Sequence, residues 1–277
     1  MAIDLHIHTN ASDGSYDPVS LVRKAKDAGL TIISLTDHET TSGFTPAFNE
    51  GVKLGVTVIP AVELQTYYNG LEIHLLGYLT DPDNKMLQQQ LGELRNMRTN
   101  CSLTTVKKMR EFGFDITWQD VKNLASSDSI VSKGHIIRAI RNAGYIRDRD
   151  DAFHIINTYL NQNGLAYVCH EFRFEDAVRL IKDVGGIPVL AHPALINNEE
   201  VVEELCTKGV EGVEVYYFYF GSKREEWVNR YSSLAEEKKL MKTGGSDFHG
   251  EYTPVVLGNT EVPFEEVKEL LKILGIR

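Results

Sequence analysis

Apolar, β-branched runs in this chain end repeatedly in histidines and carboxylates. Ile3–His6 leads into His8 and Asp13, and Leu30–Thr36 leads into Asp37-His38. Val56–Val62 leads into Glu63, Ile187–Ala191 into His192, and Met241–Gly245 into Asp247 and His249. His74 differs, standing inside the run Glu72–Tyr78. Six of the nine histidines fall in these clusters, which span roughly 240 residues, so only folding can bring them together. A closed α/β barrel does so, because its reactive groups collect at the C-terminal ends of its strands.

The intervening segments support that fold. Asp17-Pro18 is a helix start, with proline at the first helical position, and Ala28-Gly29 is its end. A second helix is expected from a Ser42 cap through Lys53, closed by Gly55. The rhythm returns after Phe174, with helices at Glu175–Asp183, Glu199–Lys208, Arg224–Lys238 and Phe264–Leu274. Between them lie the strands Ile187–Ala191, Val213–Tyr217 and Met241–Gly245, and Val255–Leu257 reads as short and extended. Alternation of this kind implies parallel strands joined by helical crossovers. Residues 84–165 break it, reading as mostly helical and polar. The expected architecture is therefore a barrel built from residues 1–94 and 166–277, with a helical insertion or lid over 95–165.

The chain has 277 residues and a net charge of −10, which argues against a broad electrostatic grip on nucleic acid. The average hides an asymmetry. Residues 95–149 carry +6, including Asp128 among their acids, and the rest of the chain carries −16. A basic segment beside an acidic, cation-holding body suits a phosphorylated substrate. No apolar run approaches the roughly 20 residues of a membrane span, and no signal-peptide pattern opens the chain. Three cysteines, Cys101, Cys169 and Cys206, are an odd number with no paired spacing and fit a reducing compartment. A cytoplasmic protein is expected, with no membrane and no protein partner implied.

Residues i and i+2 of a strand share a side, so His6 and His8 can reach one ion together. The donors are imidazole and carboxylate without thiolate, which favours zinc, manganese or iron. Their number exceeds the ligands of a single ion, so two or three ions and a bridging carboxylate are implied. His154 and His170 end no clean strand and are expected to be ordinary structural residues.

The motifs H-x-H-T-x-x-S-D-G (His6–Gly14), T-D-H (Thr36–His38), Glu63, E-x-H-x-L-G-Y (Glu72–Tyr78), A-H-P (Ala191–Pro193) and G-S-D-x-H (Gly245–His249) together resemble the PHP (polymerase and histidinol phosphatase) family. Amidohydrolases also carry H-x-H, but usually with a carbamylated lysine that has no counterpart here. The resemblance implies an α/β fold, a distorted (β/α)7 TIM-like barrel, with a trinuclear site. His6, His8, Glu63 and Asp247 would hold the first ion. Glu63 would bridge to a second, held also by His74 and His192. Asp13, His38 and His249 would hold a third. His8, Glu63, His192, Asp247 and His249 are the residues expected to carry the reaction.

The resemblance further implies a metal-dependent phosphoesterase. It is similar to the branch of 3′,5′-bisphosphonucleoside phosphatases and 5′→3′ exoribonucleases acting on short RNA. Ser132–Ile140 resembles that branch's R-P-H-x-A-R-x-L element, with Lys133 for the arginine and Gly134 for the proline. Lys133, His135 and Arg138, with Arg98, are the expected phosphate-binding residues. The aromatic run Tyr216–Phe220 could stack a base. The alternatives are a histidinol-phosphate phosphatase and, from another class, a non-catalytic metal-binding module.

Overall fold

The computed structural model describes residues 1–125, 130–168 and 171–276. Asp128, Cys169 and His170 lie outside them. Seven strands form one sheet in sequence order: β1 Ala2–Ile7, β2 Leu30–Leu35, β3 Thr57–Tyr68, β4 Leu71–Tyr78, β5 Ile187–Leu190, β6 Gly212–Tyr217 and β7 Met241–Gly245. The sheet nearly closes. The segment after β7 returns to β1, with the Asp247 amide donating to the His6 carbonyl at 2.8 Å and the His8 amide to the Phe248 carbonyl at 2.9 Å. Gly245 permits this closure, since a Cβ there would stand 2.3 Å from the His6 nitrogen. The expected distorted seven-stranded barrel is the one observed.

The expectation of uniformly parallel strands is corrected. β3 pairs antiparallel with β4, and β4 with β5, whereas the other neighbours are parallel. The cause is the dipeptide Asn69-Gly70, with φ of 49° and 80°. Two positive φ values make a tight hairpin turn whose twist matches its strands. β3 therefore runs on past Glu63 to Tyr68, and Glu63 sits within a strand rather than after one. Register pairs Glu63 with Leu76 and Gln65 with His74, so Glu63 and His74 are diagonal neighbours on one face.

The helices are α1 Pro18–Asp27, α2 Phe44–Leu54, α3 Lys85–Glu111, α4 Trp118–Lys122, α5 Lys133–Asn142, α6 Arg149–Ile155, α7 Phe174–Asp183, α8 Glu199–Leu205, α9 Arg224–Lys238 and α10 Phe264–Ile273. A π-helical turn covers Ile156–Leu160 and a 3-10 turn Pro193–Ile196. Asp17 caps α1 as expected, accepting from the Ser20 amide at 3.0 Å. The cap of α2 is Gly43, one residue beyond Ser42. Val255–Leu257 is loop, not strand; Leu257 is buried against the core beside β1 and β2. His154 is exposed on α6.

The apolar contacts show what each end of α3 packs against. Leu87, Leu91 and Leu94 of α3 belong to the core formed by β3, β4 and α7–α9. Val106 and Met109 of the same helix belong to a second core with Val121, Ile136, Ile140 and Ile155. At about 1.5–3 kcal/mol for each fully buried aliphatic side chain, both ends of α3 are firmly held.

Candidate metal centre

Glu63, on β3, lies at the centre of five imidazoles. Its Oε1 stands 2.8 Å from His74 Nδ1 and 3.2 Å from His192 Nε2. Its Oε2 stands 3.4 Å from His6 Nε2, 3.2 Å from His8 Nε2 and 3.2 Å from His38 Nδ1. Asp247 Oδ1 approaches His6 Nε2 at 3.3 Å and His8 Nε2 at 3.1 Å. His249 Nε2 is 3.3 Å from Asp13 Oδ1.

All nine expected ligand residues are brought together. They form three groups: His6, His8, Glu63 and Asp247; Glu63, His74 and His192; and His8, Asp13, His38 and His249. Within each group one donor atom per residue lies within 4.8 Å of the others. His8 is shared between two groups, which the sequence reading did not anticipate. Buried polar atoms without a hydrogen-bond partner are rare in folded proteins and call for an explanation. Here they concentrate on these residues: His6 Nε2, both nitrogens of His8, Asp13 Oδ1, His38 Nδ1, His192 Nδ1 and Asp247 Oδ1. Divalent cations would satisfy such a concentration, and the nitrogen and oxygen donors fit them.

The backbone is strained where the cluster is built. His192 has φ of 26° and Asp247 φ of 56°, conformations rarely adopted by residues with a side chain. Strain of this kind persists only where surrounding contacts fix it. At His192 its amide donates to Glu214 Oε2 at 2.8 Å. At Asp247 the Tyr217 hydroxyl donates to Oδ2 at 2.9 Å.

Three carboxylates orient the cluster, a role that the sequence pattern of Glu72, Asp37 and Glu214 does not reveal. Glu214 is fully buried on β6, and its Oε1 meets His6 Nδ1 at 2.9 Å, turning Nε2 toward the cluster. Its signal was a lone acid inside the apolar run Val213–Val215. Glu72 Oε1 meets His74 Nε2 at 3.2 Å, turning Nδ1 toward Glu63. Asp37 accepts from Thr9 and Ser12, holding the loop that carries Asp13 rather than facing the cluster. Partners of this kind fix the ring orientation of a ligand, and their loss typically costs about 10–100-fold in metal affinity. Glu214→Ala is therefore expected to weaken metal binding by about that factor with the fold retained, measured by metal titration and circular dichroism; wild-type affinity would exclude the orienting role.

Protonation follows the same geometry. Burial pushes the Glu63 carboxyl up, but His38, His74 and His6 outweigh it and hold it well below its usual range. Burial likewise opposes charge on His8 and His74, yet the carboxylates win. Asp247 and Glu63 raise His8 to about 10, and Glu63 and Glu72 raise His74 to about 9. His38 goes the other way, lowered by burial and by the Arg98 charge.

The cluster opens into a cleft of about 880 Å³. Arg98 and Lys133 line it. Arg98 Nη1 is paired with buried Glu39 at 2.7 Å, and Lys133 Nζ stands 3.4 Å from Glu72 Oε1. Arg138 lies over the Tyr252 ring, 5.2 Å from its centre; Tyr252 lines the cleft and Arg138 itself does not. His135 departs from the expected phosphate-binding role. Its ring is buried in the α5 cap, where Nδ1 accepts from the Ser132 amide at 3.2 Å, and it is absent from the cleft lining. Ser132 in turn donates to Asp13 Oδ2 at 2.6 Å. The aromatic run is corrected too: Tyr217 and Tyr219 are buried in the core, and none of Tyr216–Phe220 lines the cleft.

Gly134 explains one departure from the expected helix motif. A Cβ there would stand 2.8 Å from Asp13 Oδ2. Gly134→Ala is expected to displace Asp13 and reduce metal occupancy in the group it shares with His38 and His249, while thermal stability stays near wild type. Elemental analysis of the purified variant checks this; unchanged metal content would show that Asp13 is not needed there.

The PHP domain model matches residues 4–176. The chain belongs to the PHP family. It is 28% identical over 271 residues to the phosphoribosyl 1,2-cyclic phosphate 1,2-diphosphodiesterase of Eggerthella lenta, covering 95% of this chain and 100% of the relative. It is 26% identical over 253 residues to the 3′,5′-nucleoside bisphosphate phosphatase of Chromobacterium violaceum, covering 89% and 87%. A crystal structure from Bifidobacterium adolescentis, assigned as a metal-dependent phosphoesterase, superposes with a TM-score of 0.87 at 26% identity, covering 98% of this chain and 96% of that one. As a PHP protein the chain is a metal-dependent phosphoesterase, a hydrolase of phosphate ester bonds. No helix among the described residues is long and apolar enough to cross a membrane.

Proposed function

We propose that this PHP protein hydrolyses phosphate esters of nucleotides, either 3′,5′-bisphosphonucleosides or short 5′-phosphorylated oligoribonucleotides, in the cytoplasm. The observation that carries the proposal is three imidazole–carboxylate groups at one cleft, the first two joined through Glu63 and the first and third through His8, with Lys133 and Arg98 on the cleft lining. Two or three ions of zinc, manganese or iron would be held by His6, His8, Glu63 and Asp247, by Glu63, His74 and His192, and by His8, Asp13, His38 and His249. The chemistry supplied by divalent ions at such a site is activation of water near neutral pH and neutralisation of phosphoryl charge.

The chain's own residues do the rest. Tyr217 and Glu214 fix Asp247 and His6 so that nothing need reorganise when substrate arrives. Lys133 can exchange Glu72 for a phosphate oxygen, because Glu72 keeps Tyr167, at 2.7 Å, as a donor. Lys133 then acts as a point charge on the outer phosphate oxygens. Arg98 contributes charge from the lining, its guanidinium held there by buried Glu39, and Arg138 serves phosphates at the rim. Residues 95–165, which supply all three, act as the lid. The completeness of the donor set weighs against a non-catalytic module.

A second reading is hydrolysis of a ribosyl cyclic phosphate, favoured by the match with the Eggerthella lenta enzyme over its full length. A turnover panel separates the readings: adenosine 3′,5′-bisphosphate, a 5′-phosphorylated trinucleotide, phosphoribosyl 1,2-cyclic phosphate and histidinol phosphate. Preference for either of the first two is expected. Turnover confined to the cyclic phosphate, or to histidinol phosphate, would overturn the nucleotide assignment.

A further inference from the structure

Away from the imidazole–carboxylate cluster, the cleft lining changes chemistry. Six amide side chains line it: Asn157, Asn161, Gln162, Asn163, Asn197 and Asn198. They come from two segments that both adjoin the second donor group. Asn197 and Asn198 follow His192 across a single 3-10 turn. The 161–163 segment is tied to β4 because Gln162 Oε1 accepts from the Glu72 amide at 2.8 Å, two residues before His74. Asn157 sits on the π-helical turn, a rare conformation found mostly as single turns and frequently at functional sites. Asn161 Nδ2 donates to Asn157 Oδ1 at 2.7 Å, so the two amides are held as a pair. Leu195, 59% exposed although apolar, lines the same cleft with Ile137.

Amides carry a donor and an acceptor without net charge. They suit the part of a substrate that is uncharged, planar and rich in hydrogen-bonding edges, and Asn or Gln pairs bidentately with the adenine edge. Apolar side chains such as Leu195 and Ile137 suit the faces of such a ring. We infer that the amide lining contributed by Asn157–Asn163 and Asn197-Asn198 is a nucleobase subsite, which selects nucleotides over base-free phosphate esters. The role that the sequence placed on the aromatic run Tyr216–Phe220 thus passes to the asparagines. This inference rests on the nucleotide reading above but is tested by binding rather than turnover.

The experiment compares adenosine 5′-monophosphate with ribose 5-phosphate by calorimetry on the metal-loaded full chain. The two share phosphate and sugar and differ in the base. Wild type is expected to bind the nucleotide at least about tenfold more tightly, a difference of about 1.4 kcal/mol. Asn157→Ala/Asn161→Ala should remove most of that difference while affinity for ribose 5-phosphate stays within about twofold, a contact-level loss. Asn163→Ala, at an exposed position, is the control against misfolding of the π-helical turn and should lower the nucleotide preference alone. Equal wild-type affinities, or a preference preserved in both variants, would overturn the subsite. Absence of turnover on every nucleotide in the panel would instead strike the functional reading and leave the binding contrast as measured.

Discussion

Glu63→Gln is expected to lower kcat by roughly a thousandfold or more, since the metal-assisted stabilisation lost is worth several kcal/mol. No other residue belongs to the first two donor groups at once, with Oε1 facing His74 and His192 and Oε2 facing His6, His8 and His38. Removing its charge therefore weakens two groups together, not one. Elemental analysis should show fewer bound ions per chain, and steady-state kinetics should show the loss in kcat rather than in KM. A variant retaining wild-type kcat would mean that Glu63 is not the shared ligand, whatever its position.

The second large effect concerns protons. In metal-free protein His74 is raised to about 9 and His8 to about 10, from ordinary values of 6.5. A histidine raised on folding adds stability in full below its unfolded value, and loses it as pH climbs to its folded value. The contribution of this pair is thus complete below about pH 6.5 and gone by about pH 10. Glu63, Asp13 and Asp247 are lowered on folding, so theirs is lost at the acid end instead. Chelated protein should then melt at progressively lower temperature from pH 6.5 to 9.5. Metal-loaded protein should run the other way over the same interval, because ligands must shed protons to bind and affinity rises with pH. Thermal unfolding with and without chelator checks both. Parallel curves across that interval would show that the imidazoles and the ions do not compete.

Much of the centre was visible before folding because its donors stand where apolar strands end, and strand ends of a barrel share a rim. His6, His8, His192 and Asp247 follow that rule. His74 does not, and its placement depends on the reversal at Asn69-Gly70, whose two positive φ values make the hairpin. Orientation was harder to see. Glu214 and Tyr217 look like one odd acid and one member of an aromatic run, and their contacts with His6 and Asp247 span more than two hundred and about thirty residues respectively. His135 shows the opposite error. Its neighbours Lys133 and Arg138 are basic and face outward, but an α5 residue two positions from Lys133 points elsewhere, into the cap.

Helix α3 has a mechanical consequence. Its 27 residues make a rod of about 40 Å, seated by Leu87–Leu94 in one core and by Val106 and Met109 in another. Arg95 and Arg98 clamp its middle to the Glu39 carbonyl and carboxylate. There is no slack joint at residue 95. Any widening of the cleft on the α3 side must tilt this rod against its clamp, so the lining that Arg98 contributes moves as a lever with a fixed fulcrum rather than as a flap on a string.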